Sequence, residues 1–388
     1  VTFLQSKSAY LDYAATTPVD PRVREAMLPY LGPEMFGNAS SVHRWGQDVR
    51  RALDGARDML ARHLGCHSSE MYFTSGGTEA DNTALLGVLL AGREQGRDHL
   101  VTVATEHHAI LDCAHFAQKT LGFGLTVLPV DSQGRIDPEA VADAVTDRTA
   151  LVSVMHANNE IGTIHPIAEI ARRVREKGTY FHTDAVQTLG QLPLNVDDLG
   201  VDLLTVSAHK IYGPKGAGAL YVRKGTHWMP WLHGGQQERE KRAGTENAAA
   251  IIGFGKAVEL LPEWRDTESV RLAGLRDRFI ATLQAGISDT VLNGPAGAER
   301  LPNNANLSFP GAEGETLLLS LDMQGVAAAS GSACSSGSID PSHVLLALGL
   351  PLPVARSAVR FSLGRATTEA ELEYTAEVVA RCVRAARV

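Results

Sequence analysis

A lysine, an aspartate and a cysteine in this sequence are set where they suit one kind of covalent chemistry. Lys210 stands in Val206-Ser-Ala-His-Lys210, at the end of the apolar run DLLTV, and is followed by Ile-Tyr-Gly-Pro-Lys-Gly216. An amine at the carboxyl end of a buried strand is partly desolvated, which favours the neutral form that condenses to a Schiff base. Asp184, in Phe181-His-Thr-Asp-Ala-Val-Gln187, lies 26 residues upstream and also follows a strand-like run. A carboxylate there suits a pyridinium nitrogen, the partner that makes a pyridoxal cofactor an electron sink. Thr74-Ser-Gly-Gly-Thr-Glu79 follows another such run and opens a helix. Its glycines allow a tight turn, and the helix-start N–H groups with the Thr78 hydroxyl suit a phosphate. The turn is neither a Walker A loop nor G-x-G-x-x-G, and taken alone it is equally a structural turn. Cys334 sits in Ser330-Gly-Ser-Ala-Cys-Ser-Ser-Gly-Ser338, small residues that build no rigid core and read as a loop. A thiol there is open to ionisation and can act as a nucleophile.

Positioning these groups falls to a βα alternation. Strand-like runs occur at 71–74, 100–103, 125–130, 150–155, 179–182, 202–207 and 218–222, with helix-length segments such as 78–92 and 166–177 between them. This alternation predicts a mostly parallel sheet, with ligands at the carboxyl ends of its strands. The pattern then predicts one long helical stretch from Asn247 to about Leu283, with any domain boundary near 260 inside helix. Strand-like VLNG and NLSF come next. Thr368 and Glu371 fit a capping box opening a last helix, on which Leu372, Val379, Cys382 and Val383 recur at helical spacing.

The chain has 388 residues, with 36 Lys+Arg against 44 Asp+Glu and a net charge of −8. At about 150 residues per domain, that is two or three domains, or one large α/β domain with a satellite. The acidity argues against nucleic acid as the main partner. No run approaches the roughly 18 continuous apolar residues of a membrane span, and the N-terminus shows no apolar signal segment. Cys66, Cys113, Cys334 and Cys382 are too far apart in sequence for a C-x-x-C pair, so neither a zinc site nor a disulfide framework is expected. A cytoplasmic protein is the expectation. Cys66, Cys113 and Cys382 read as structural.

The motifs TSGGTEADN (74–82), TEHHAILD (105–112), MHANNEIG (155–162), HTDAVQ (182–187), SAHKIYGPKG (207–216), RAGTEN (242–247) and SGSACSS (330–336) together resemble a known family. The chain is similar, nearly end to end, to the cysteine desulfurases of the NifS/IscS type, within the pyridoxal-phosphate fold type I, class V aminotransferase-like enzymes. The resemblance implies a mostly parallel seven-stranded sheet in a large cofactor-binding domain, residues 14–262. A smaller α+β domain of residues 1–13 and 263–388 would carry Cys334.

It also implies roles. Lys210 becomes the Schiff-base lysine, Asp184 the partner of the pyridine nitrogen, and Gln187 that of the phenolic oxygen. His107 lies over the ring; the residues alone do not choose between His107 and His108, and the family pattern takes the one after Glu106. Gly77, Thr78, Ser207 and His209 hold the phosphate, with Thr245 reaching in from a second subunit of a homodimer. Asn159 and Arg360 fix the substrate carboxylate, Arg360 by its bidentate fork, and Asn38 borders the same pocket. The implied reaction takes sulfur from L-cysteine, leaving L-alanine and a persulfide on Cys334 for an acceptor, an iron–sulfur scaffold or a tRNA-thiolation protein. Two departures stand out. The sequence stops at Arg384-Ala-Ala-Arg-Val388 without the C-terminal tail used for scaffold docking, so docking through a tail is not expected, and Ala39 stands where relatives often have Pro. The rival readings are a selenocysteine lyase, another class V aminotransferase-like enzyme, and a non-catalytic sulfur-relay protein.

Overall fold

Buried, β-branched runs become strands here, and their order decides where the chemistry sits. The computed structural model describes residues 8–330 and 341–387. A short strand β1 (Ala9–Tyr10) is followed by β2 (Met71–Thr74), β3 (His99–Val103), β4 (Gly124–Leu128) and β5 (Thr149–Ser153). Then come β6 (Tyr180–Asp184), β7 (Leu203–Ser207) and β8 (Gly218–Val222), and later β9 (Val291–Leu292), β10 (Asn304–Ser308), β11 (Val326–Ala327) and β12 (Ala358–Ser362).

Strands β2 to β8 form one seven-stranded sheet in the order β2-β8-β7-β6-β5-β3-β4. Pairings among β3 to β7 are parallel, whereas β8 runs antiparallel to both β2 and β7. Strands β5 and β7 are buried at every position, as expected of parallel strands covered on both faces. On one face, helix Gly77–Arg93 buries Leu85, Leu86 and Leu89 with Leu100, Leu151, Leu203 and Leu220. The opposite face packs Leu53, Leu60, Ile170, Val174 and Phe254 against Val152, Phe181, Leu204 and Val206.

A second core lies around the antiparallel sheet β12-β10-β9 and gathers Leu275, Phe279, Leu307, Phe309, Leu317, Phe361 and Val379 with Ala9 and Leu11. The last helix, Glu369–Ala386, begins with the expected capping box of Thr368 and Glu371. One expectation fails: the stretch after Asn247 is two helices, Ala248–Glu259 and Arg265–Gly286, separated by a 3-10 turn at Leu261–Glu263. Pro262 stands in that turn, where its ring and missing N–H stop an α-helix from running through. Among the described residues no helix is long and apolar enough to cross a membrane.

Candidate active site

Because β2, β3, β5, β6 and β7 all run the same way, the residues just past their ends meet at one edge of the sheet. There they line a cavity of about 380 Å³ formed by Ala14, Ala15, Gly77, Thr78, Asp81, His107, Met155, Asn159, Asp184, Val186, Gln187, Ser207, His209, Lys210 and Arg360. A recess of about 350 Å³ shares Ala15, Gly77, Thr78, Ser207 and His209 with it and adds Lys215.

Asp184 ends β6 and accepts a hydrogen bond from the Val186 N–H at 2.8 Å. Burial pushes its carboxyl up to about 6, against the pull of that N–H and of Lys210. Asp81 and Glu106 are also fully buried nearby and stand well above the usual carboxylate range, from burial first and the charge of Asp184 second. A protonated pyridine nitrogen at Asp184 would add a second cation to this crowd of carboxyls, beside Lys210. Behind Asp184 the His182 ring is held by Ser153 Oγ at 2.9 Å and Thr205 Oγ1 at 3.0 Å. Burial holds His182 down to about 3, so its 3.7 Å approach to Asp81 is not an ion pair at neutral pH.

The turn between β2 and helix Gly77–Arg93 has no side-chain cap, and its Gly76, Gly77 and Thr78 line the recess, where the helix-start N–H groups need an acceptor. Ser207 Oγ, at the end of β7, is buried with no hydrogen-bond partner among the described residues. Uncapped N–H groups, an orphaned hydroxyl, Thr78, His209 and Lys215 make up the donor set a phosphate needs. A Cβ at Gly77 would lie 2.9 Å from Val186 Cγ2, so a larger residue there would have to displace that side chain. The residues therefore fit pyridoxal 5'-phosphate: those of the recess would hold its phosphate, and Asp184 would pair with its ring nitrogen.

Lys210 Nζ donates to the carbonyl oxygens of Ala14 and Ala15 at 2.6 and 2.7 Å. Gln187 Nε2 donates to Ala14 O at 3.0 Å, and the His209 ring meets Thr16 Oγ1 at 3.2 Å. His107 caps helix His108–Leu121, its Nδ1 accepting from the Ala109 N–H at 3.0 Å. Burial, then the charge of Lys210, brings its ring down to about 4. His108 faces away, toward Asp112 and His343. Arg360, from β12, donates to Asn159 O at 3.1 Å and to Asp12 Oδ1 at 2.9 Å.

The structure thus brings together Gly77, Thr78, His107, Asn159, Asp184, Gln187, Ser207, His209, Lys210 and Arg360. It does not bring in Asn38 or Thr245, which are exposed and away from the lining. Asn38 Oδ1 instead accepts from the Ser40 N–H in a local turn. Cys334 lies outside the described residues. Burial pushes the Cys66 and Cys113 thiols up to about 12, and Cys382 packs partly buried at the second core, as structural cysteines would. Sequence reasoning missed Asp81, Lys215 and the carbonyls of Ala14 and Ala15. Asp81 and Lys215 do lie inside the quoted motifs, which was their only signal.

Residues 9–375 match the family model of class V aminotransferases. A cysteine desulfurase IscS of Dictyoglomus turgidum is 53% identical over 381 residues, covering 98% of this chain and 96% of that protein. Among solved structures, a NifS-like protein superposes with a TM-score of 0.89 at 35% identity, covering 96% of this chain and 98% of the other. SspA in complex with cysteine superposes with a TM-score of 0.80, also at 35% identity, over 91% and 98%. With a cofactor-shaped donor set at the strand ends and relatives matched along nearly its whole length, this chain belongs to the pyridoxal-phosphate-dependent class V aminotransferase family, in its cysteine desulfurase branch.

Proposed function

We propose that the protein takes the sulfur of L-cysteine onto Cys334 as a persulfide, releases L-alanine, and passes the sulfur to an acceptor protein, an iron–sulfur scaffold or a tRNA-thiolation protein. The observation that carries this reading is the convergence of a lysine, a buried aspartate, a neutral histidine and a buried arginine on one cavity. Pyridoxal 5'-phosphate, when bound, supplies an electron sink for charge developing at the substrate Cα. Thr78, Ser207 and His209 would hold its phosphate, Asp184 its ring nitrogen and Gln187 its ring oxygen, with His107 beside its ring.

The chain's own residues do the rest. Arg360 and Asn159 hold the substrate carboxylate and so orient Cα toward Lys210. Lys210 Nζ carries the Cα proton, and the carbonyls of Ala14 and Ala15 stabilise the ammonium that results. Asp184, whose carboxyl burial pushes up to about 6, is held ionised when paired with a cation. The Cys334 thiolate attacks the substrate sulfur: an S–S bond forms, the C–S bond breaks, and the carbon side keeps the electron pair and takes a proton to become alanine.

The division into a large domain (14–262) and a small one (1–13 and 263–388) is part of this reading, as is a cytoplasmic setting. So is a homodimer. Leu31, Phe36, Val42 and Trp45 are 68, 67, 93 and 60% exposed along one segment that also holds Asn38, a face suited to a second copy. In such a dimer Thr245 serves the partner's cavity; sedimentation tests it, and a monomer that turns over fully rejects it.

The function is tested by alanine release from L-cysteine by the holoenzyme and by Cys334→Ala, each with a reductant to clear persulfide. Alanine from the wild type and little from the variant is the expected result. Equal release from both overturns the role of Cys334.

A further inference from the structure

Arg360 reaches the cavity from a sheet other than the one that carries the remaining groups, and something must hold it there. Its side chain is 3% exposed, and its Nε is buried without a hydrogen-bond partner among the described residues. Of its five N–H donors, one on Nη1 goes to the backbone oxygen of Asn159 and one on Nη2 goes to Asp12. Asp12 is the only carboxylate paired with it among the described residues. The backbone of Asp12 is itself pinned beside Arg360. Asp12 bridges Ser362 in parallel, Ser362 N–H donates to Leu11 O at 2.7 Å, and Tyr13 N–H donates to Ser362 O at 3.2 Å. Two residues on, the same segment supplies the carbonyls that hold Lys210 and Gln187.

We propose that Asp12 is a positioning residue for substrate recognition: by gripping Nη2 it sets the plane of the guanidinium so that its remaining Nη N–H donors serve as the fork for the substrate carboxylate. The inference rests on the carboxylate role of Arg360 and adds the group that aims it. A planar guanidinium offers a bidentate edge only in one rotational setting. The Asn159 contact alone leaves the plane free to swing about Nη1, whereas two contacts on different nitrogens fix it.

The test compares Asp12→Ala, Asp12→Asn and Arg360→Ala holoenzymes. Two quantities are read: KM and kcat for L-cysteine, and the dissociation constant of L-alanine, followed through the change in cofactor absorbance. Asp12→Ala should raise both KM and the alanine constant about tenfold, the worth of one charge-assisted hydrogen bond, with kcat altered less than about threefold. Asp12→Asn keeps an oxygen acceptor for Nη2 and should stay within about threefold of wild type. If Asp12→Ala fails to fold, Asp12→Ser, too short to reach the guanidinium, must show the same split. Unchanged alanine binding in the truncated variant, a fall in kcat without a rise in KM, or equal damage from Ala and Asn overturns the proposal. Arg360→Ala separates the two levels. If it binds alanine like wild type, the carboxylate reading falls and this one with it; if it binds weakly while Asp12→Ala is normal, only the role of Asp12 falls.

Discussion

The floor and the wall of the cavity are held in place by different physics. The floor is the carboxyl edge of the large sheet, where Asp184 and Ser207 end strands buried over nearly their whole length. Their positions are inherited from a hydrogen-bonded ladder, and the side chains behind them are themselves gripped, as His182 is by Ser153 and Thr205. The wall is Arg360, a long buried side chain from a sheet of the second core, whose tip is held by Asn159 and Asp12. Fixing so flexible a side chain costs up to about 2 kcal/mol in rotamer entropy, which its partners must offset. The difference teaches that groups moving protons and electrons sit on the rigid sheet, while the group that recognises the substrate sits where small changes can retune it. Kinetics should divide along the same line, floor variants losing kcat and wall variants raising KM.

The strongest challenge to that division is Lys210→Ala. It should lose the cofactor's protein-bound absorbance and at least about a thousandfold of turnover together, because Lys210 is the only lysine among the described residues that line the cavity. Single-turnover assays and absorbance spectra read this; retained turnover would end the assignment.

Next comes the anchor beneath the floor. Arg57 donates to both oxygens of Glu238 at 2.6 and 2.7 Å, and Glu238 also accepts from the Phe73 N–H at 2.9 Å in β2, just ahead of the phosphate turn. Both side chains are almost fully buried. Removing Arg57 strands a buried carboxylate, so Arg57→Ala should cost about 3–5 kcal/mol. A urea midpoint equal to wild type would show that the turn is held by backbone alone.

On the wall, Arg360→Ala should raise KM for L-cysteine by roughly tenfold to a hundredfold, the range for hydrogen bonds to a charged partner, with a smaller change in kcat. A matched fall in kcat at constant KM would erase the distinction between floor and wall.

These regions were not equally legible in the sequence. Run GALYV was read to the residue as β8, and the strand ends carrying Asp184 and Lys210 were legible because period and burial are local signals. Contacts across the chain were not. Asp12 and Arg360 are 348 residues apart, and Arg57 and Glu238 are 181 apart, so no window along the sequence contains either pair. Glu238 also lies in a segment where Glu238, Arg239 and Glu240 all take positive φ, a backbone that nothing in QERE predicts. The helix break at Pro262 was written in the sequence and was overridden by the apolar periodicity around it. Asn38 and Thr245 came from resemblance alone; Thr245 is exposed, and Asn38, expected at the border of the same pocket, sits exposed in a local turn.

The smallest effect lies where floor and wall join. The loop carrying Asn159, whose oxygen holds Arg360, is closed by an antiparallel bridge between Ala157 and Ile164, flanked by His156 and His165. His165 is 2% exposed, and neither ring nitrogen has a partner among the described residues. Burial first, then the neighbouring His156, brings it down to about 4. The unfolded ring takes a proton near pH 6.5, whereas the folded one refuses it until about 4. The unfolded state therefore binds more protons between these values. The stability His165 contributes is full above pH 6.5 and is lost as the pH falls toward 4, at up to about 1.4 kcal/mol per unit. His165→Leu keeps the volume and removes the proton demand. Its loss of stability between pH 6.5 and 5.5, read from urea midpoints at the two pH values, should be about 1 kcal/mol smaller than that of wild type. Equal losses would mean that the ring is already charged or solvated in the folded protein, and that the joint between floor and wall opens to water more readily than the floor itself.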